Sequence, residues 1–215
     1  MKIDRAAVLT LTVTLATVAC TAGTDDAASS SDGVVAGSAC VIDGDEAAPV
    51  AEGRCAALYE EAMIAGVKKL SSAPEGASVY GCSPELTEEP CGELGFIMYE
   101  VCSTYALHYR KRAALDAITC LERSDLSDPT SATACGFAAL SKSCGGTADA
   151  KAFCDAVKTE HEGLSVAETN ECLALAGGLR TTARAQILAA ARHDDAFTFH
   201  SAVEGLDPFS RAEAY

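Results

Sequence analysis

The chain has 215 residues and carries 31 Asp and Glu against 16 Lys and Arg, a formal net charge of −15. A surface of that sign repels nucleic-acid phosphates and anionic lipid headgroups, which excludes nucleic acid as a partner. Apolar residues make up 49% of the chain, but aromatics only 6% and there is no Trp. A core must therefore be assembled largely from small side chains that bury little area each.

Residues 1–19 read in two parts: a short basic start with Lys2 and Arg5, then the uncharged run AAVLTLTVTLATVA at 6–19. That run is too short to span a bilayer as a helix, which needs about 20 residues. A basic start, a short apolar core and small residues before a break describe an export signal. Its last three residues and the cysteine that follows, Thr17-Val18-Ala19-Cys20, resemble the lipobox of bacterial lipoproteins. The resemblance implies removal of 1–19, lipidation of Cys20 and a membrane partner reached through the lipid. Thr21 after the cysteine implies, by the same resemblance, the outer membrane or cell surface. Cleavage after Ala22 is the alternative, and it would release a soluble secreted protein.

Residues 20–37 are then a leash. The stretch TAGTDDAASSSDGVVAG at 21–37 is small, polar and acidic and cannot bury enough apolar surface to order itself. A coil of that length reaches roughly 20–25 Å. The folded domain is expected over 38–215.

Residues 40–54 contain Gly44, Pro49 and Gly53 and read as a stapled loop. Residues 55–70 carry apolar side chains at helical spacing, with Glu60 and Glu61 early and Lys68 and Lys69 late, as the helix dipole favours. Residues 71–81 are a loop. Thr87-Glu88-Glu89-Pro90 has the composition of a helix start, and a stripe follows through Leu94, Ile97, Val101 and Tyr105. Helices are further expected over 113–121 and from Ser127-Asp128-Pro129 to about 143. Thr147 caps the next, and Ser165 with Glu168 forms a capping box for 166–176. Thr181 or Thr182 opens the last, through His193. Phe197 and Phe199 then anchor the chain on the core. No alternating pattern of any length occurs, so the fold class is all-α.

The chain has 11 Cys. Assigning Cys20 to lipid leaves ten, an even number, and even counts in exported domains mean a disulfide framework. No CxxC pair is present, which argues against a zinc site. Cys82, Cys91, Cys102 and Cys120 are separated by 8, 10 and 17 residues, and Cys135, Cys144, Cys154 and Cys172 by 8, 9 and 17. That near-repetition predicts two Cys-ladder repeats of helical hairpins. Sequential pairing follows: Cys40–Cys55, Cys82–Cys91, Cys102–Cys120, Cys135–Cys144 and Cys154–Cys172. Pairing across the repeats is the competitor.

Catalytic signatures are missing. There is no GxSxG, P-loop, HExxH or GxGxxG, and no cofactor is implied. His193, Asp195 and His200 are the candidates for a divalent metal, although their spacing suits a helix face poorly and a polar helix end is the simpler reading. Arg110-Lys111-Arg112, beside His108, reads either as an anion or partner site or as a solvated helix end. The expected function is a lipid-anchored envelope protein with a structural or binding role and an unidentified protein partner. An enzyme of unfamiliar type is the alternative.

Overall fold

A computed structural model describes residues 44–48, 51–74, 76–86, 88–144, 147–161 and 163–206. Cys20, Cys40, the signal segment and the leash lie outside them. The described residues form eight α-helices and one 3-10 turn, with no strand. They belong to a single unit, Ala39–Tyr215.

Helix α1 spans Ala51–Ser72 and so begins inside the stretch expected to be a loop. The reason is tertiary. Arg54 forks onto Glu122, with Nε and Nη2 each 2.6 Å from a carboxylate oxygen, and this draws the early turn into register. Helix α2, Gly92–His108, starts after Pro90, with Cys91 at its N-cap and no side-chain cap. The Thr87 cap expected from sequence lies outside the described residues, and Glu88, Glu89 and Pro90 precede the helix instead of forming its first turn.

Helix α3 is Lys111–Leu121 and α4 is Thr130–Ser141. The Asp128 carboxylate accepts bonds from the Thr130 backbone N–H and hydroxyl just ahead of α4. Helix α5, Ala148–Glu160, is capped by the Thr147 side chain. Helix α6, Val166–Leu175, opens with the reciprocal Ser165–Glu168 box. A 3-10 turn at Ala176–Gly178 leads to α7, Thr181–His193. Helix α8, Phe199–Glu204, was expected only as an aromatic anchor; Phe197 and Phe199 are both buried.

In the N-terminal half α1 packs on α2, α2 on α3, and α3 on α4; in the C-terminal half α5 packs on α6 and α7, with α8 against α6 and α7. Helix α4 connects the halves through α6 and the 3-10 turn. So does one backbone bridge, Tyr109 with Leu179. The core is rich in alanine, including Ala62, Ala113, Ala114, Ala117, Ala132 and Ala183. Small side chains let helix axes approach closely but contribute little hydrophobic area.

Disulfides supply what the core lacks. Four join described residues: Cys55–Cys102, Cys82–Cys91, Cys120–Cys135 and Cys154–Cys172. Cys144 is disulfide-bonded as well, outside these four pairs. The sequential set therefore needs correction. Cys55 bonds Cys102 and not Cys40, while Cys120 bonds Cys135, so neither Cys102–Cys120 nor Cys135–Cys144 forms.

The reason lies in where each hairpin bends. The turn between α5 and α6 falls midway between Cys154 and Cys172, so the two arms match and the sulfurs meet. The bend at Tyr109 and Arg110 lies nearer Cys102 than Cys120, so the two sit at different heights. Cys102 faces α1, and Cys120 lies off the buried stripe of α3 on the side of α4. The two Cys ladders thus do not carry the same bonding pattern.

Candidate interaction surface

Helices α1 and α2 form an antiparallel pair. Cys55 and Cys102 staple one end. In the middle, a Cβ added at Gly95 would lie 2.7 Å from Met63 Cγ and 2.8 Å from the Tyr59 carbonyl oxygen. At the far end, a Cβ at Gly66 would lie 2.8 Å from the sulfurs of both Cys82 and Cys91. Two glycines on opposite helices therefore allow an approach that no larger residue permits.

The chain between the helices is held just as firmly. Gly81 takes a φ of +64°, the left-handed region that favours glycine. Its carbonyl accepts from Leu94 N at 3.1 Å, and Ser83 N donates to Pro90 O at 2.6 Å. With the Cys82–Cys91 bond, these contacts fix the corner before α2.

One side of this pair faces the core through Leu58, Ala62, Leu94, Met98 and Val101. The opposite side is apolar too, yet uncovered. Ile64 is 68% exposed, and Val67 and Leu86 are also exposed. On α2, Phe96, Tyr99 and Leu107 form an exposed row with Ser103 between them. Such grouped exposure marks contact surfaces in soluble proteins more often than chance scatter does.

Two adjoining cavities lie on this side. The first, about 500 Å³, is lined by Met63, Ile64, Val67, Lys68 and Ser71 of α1 and by Glu88, Glu89, Pro90 and Cys91 of the corner. The second, about 510 Å³, is lined by Glu85, Leu86, Glu88, Glu89, Gly92 and Glu93. They share Glu88 and Glu89. None of the four glutamates takes a hydrogen bond or ion pair from a described side chain. Other carboxylates are engaged: Glu122 by Arg54, Glu160 by Arg192 and Asp149 by two arginines. The two cavities thus offer apolar contact flanked by negative charge.

The residues singled out from sequence lie elsewhere. His193 ends α7 and Asp195 follows it, both exposed. His200 turns away from them. Its Nδ1 lies 2.6 Å from Glu171 Oε1 and its Nε2 3.2 Å from Glu204 Oε1, and the ring stacks on Phe137 at 4.4 Å. The hydrogen bond to Glu171, aided by the charges of Glu171 and Glu204, raises the imidazole above its ordinary value against the opposing effect of burial. The proposed metal triad is therefore not assembled. Among the described residues no group of three His, Cys, Asp or Glu is placed to hold a metal.

Of the basic cluster, Arg110 is tied into the fold. Arg110 is the N-cap of α3, and Lys111 and Arg112 occupy its first turn, the end where the dipole disfavours cations. The cluster is a helix start, and for Arg110 an acid compensates. Arg110 Nη2 and the buried Arg184 Nη1 both lie 2.7 Å from Asp149 Oδ2. Arg184 also donates to the Ala176 carbonyl at 2.7 Å and sits over the Phe153 ring. No spacing rule in the sequence could have brought Asp149 to these two arginines.

A third cavity of about 230 Å³ lies between α7 and α8, lined by Gln186, Asp194, Phe197, Thr198 and Ser201 among others. Two of its polar side chains accept from the backbone, and the Thr198 hydroxyl also donates to Ser201 Oγ at 2.8 Å. The Thr198 hydroxyl accepts from Ser201 N, and Asp194 Oδ1 accepts from Ala196 N.

No family model matches the chain, and neither a curated protein nor a solved structure matches it.

Proposed function

We propose that this chain is a lipid-anchored, non-catalytic binding module of the bacterial cell envelope. It is held on its leash through Cys20 and presents the outer face of α1 and α2 to a protein partner. The observation that carries this reading is the pair of adjoining cavities on that face. They are lined by apolar side chains and four carboxylates beside one lysine, and the one hydroxyl among them, Ser71, donates to the Lys68 carbonyl. The cysteines support the compartment. All nine described cysteines are oxidised, and structural disulfides persist where thiols are not kept reduced. The lipobox-like Thr17-Val18-Ala19-Cys20 supports the anchor, and Thr21 supports the outer membrane.

Mass spectrometry of the mature N-terminus, on protein purified from its host membranes, tests the anchor. A diacylglyceryl adduct on Cys20 is expected. A free terminus at Gly23 in the culture medium would instead establish a soluble secreted protein.

A further inference from the structure

We propose that the α1–α2 face docks a cationic amphipathic helix of another protein. This inference rests on reading that face as a binding surface, and it adds the chemistry of the occupant. The argument is complementarity along one continuous surface. Met63, Ile64 and Val67 follow one another on α1 at helical spacing and form the wall of the first cavity, with Pro90 opposite. A groove walled by a helix accepts the apolar stripe of a second helix laid along it.

The charge then selects the sign. The cavity floor passes through Glu88 and Glu89 directly into the second cavity, where Glu85 and Glu93 add two more carboxylates. Lys68 is the single cation lining either cavity. Four glutamates without internal partners, beside one lysine, hold a local negative potential. Lysines and arginines flanking a partner's apolar stripe would meet it, and an acidic helix would be repelled. Leu86, more than half exposed among these glutamates, extends the apolar contact into the acidic end. The disulfide Cys82–Cys91 and the Gly66 contact hold the corner rigid before binding, which lowers the ordering cost of association.

A second copy of the chain is a poorer occupant, because each copy would bring its own glutamates to the other's. A membrane surface is poorer for the same reason, since anionic headgroups would face the same carboxylates.

The test uses the full mature chain with its disulfides intact and three fluorescently labelled synthetic peptides of about 18 residues, long enough for five helical turns. One has leucine at helical spacing and lysine elsewhere. The second replaces every lysine with glutamate. The third has the lysine peptide's composition in scrambled order. Fluorescence anisotropy is expected to show binding of the lysine peptide, weaker binding of the scrambled peptide and none of the glutamate peptide. Glu88→Gln with Glu89→Gln should weaken the lysine peptide about tenfold, and Val67→Ser with Ile64→Ser should weaken it further. Asp155→Asn with Asp195→Asn, a change of equal charge elsewhere on the surface, should leave it unaltered. Far-UV circular dichroism confirms that each variant is folded.

Equal weakening by the remote pair would reduce the effect to net charge and overturn the proposal. Binding of the glutamate peptide, lost in Val67→Ser, would overturn the cationic assignment while keeping the binding face. No affinity for any of the three peptides would overturn both.

Discussion

Tyr109 and Leu179 meet in a single antiparallel backbone bridge that joins the two halves of the fold. Around it Arg110 N donates to Gly178 O at 2.8 Å and Arg180 N donates to His108 O at 2.9 Å. Each extended dipeptide ends in an arginine that N-caps a helix, Arg110 for α3 and Arg180 for α7. The side chains then diverge. Arg110 reaches Asp149, while Arg180 donates to the Leu107 and Asp45 carbonyls at 2.6 and 3.2 Å. The exchange of backbone bonds satisfies both N-cap N–H groups, the Asp45 carboxylate accepts from Thr181 N at 2.9 Å in the first turn of α7, and Asp149 takes up the charge of Arg110.

The disulfides should differ in weight. Cys55–Cys102 closes 47 residues and Cys82–Cys91 closes 9. In the chain-entropy account, a loop of the first size is worth about 4 kcal/mol and one of the second about 2.5 kcal/mol. Replacing both Cys55 and Cys102 with Ala should therefore lower the thermal midpoint more than replacing Cys82 and Cys91, by about 2–4 °C for each kcal/mol of difference. Reduction of all bonds should cost much of the helical circular dichroism, because the alanine core has little area to offer in their place. A melt unchanged by reductant would contradict this.

Gly95→Ala should be destabilising although alanine is the better helix former. The new methyl would press on the Tyr59 carbonyl oxygen at 2.8 Å and on Met63. Backbone cannot step aside as a flexible side chain can, so a loss of about 1–3 kcal/mol is expected from overpacking. Urea unfolding at equal slope measures it. A gain in stability would show that α1 and α2 do not cross at this point.

Stability should hold a plateau in pH and fall on both sides. Asp149 is held below its ordinary value first by its hydrogen bond to Arg184, against burial, and then by the charges of Arg184 and Arg110. A lowered carboxylate stabilises the fold above the unfolded value of 3.8, and the gain is lost as pH falls through the lower folded value. His200 is raised by Glu171, so its contribution is complete below the unfolded value of 6.5 and is lost as pH rises through the higher folded value. Asp149→Asn should flatten the acid limb and His200→Asn the limb above 6.5. Proton NMR of the imidazole should give a midpoint above the ordinary value, falling back in Glu171→Gln. A midpoint at or below the ordinary value would remove the ion pair from the fold.

Local rules read from the sequence match what forms wherever partners lie within one helical turn. The Ser165–Glu168 box and the Thr147 cap are contacts of three residues' span, and both form. Rules fail where a distant group decides. Residues 51–54 contain a glycine and look irregular, but Arg54 finds Glu122 and α1 starts early. Glu88, Glu89 and Pro90 look like a first turn, but the Cys82–Cys91 bond and the Gly81 turn hold them outside α2 as the corner of the acidic groove. Periodicity does not reveal the proposed interaction face for that reason. Its apolar residues belong to α1, its carboxylates to a corner, and periodicity counts each stretch alone. Phe96, Tyr99 and Leu107, spaced along one face of α2, were the signal within reach.

By itself the sequence determined the all-α class, the positions of most helices and the demand for disulfides in a core short of large side chains. These follow from helical periodicity, capping chemistry and composition, all of which act within a few residues. Tertiary structure alone decided which cysteines meet, which arginines share Asp149 and which apolar face stays uncovered. Those outcomes depend on where each bend falls and how closely glycine lets two helices approach, and both are properties of packed helices in space.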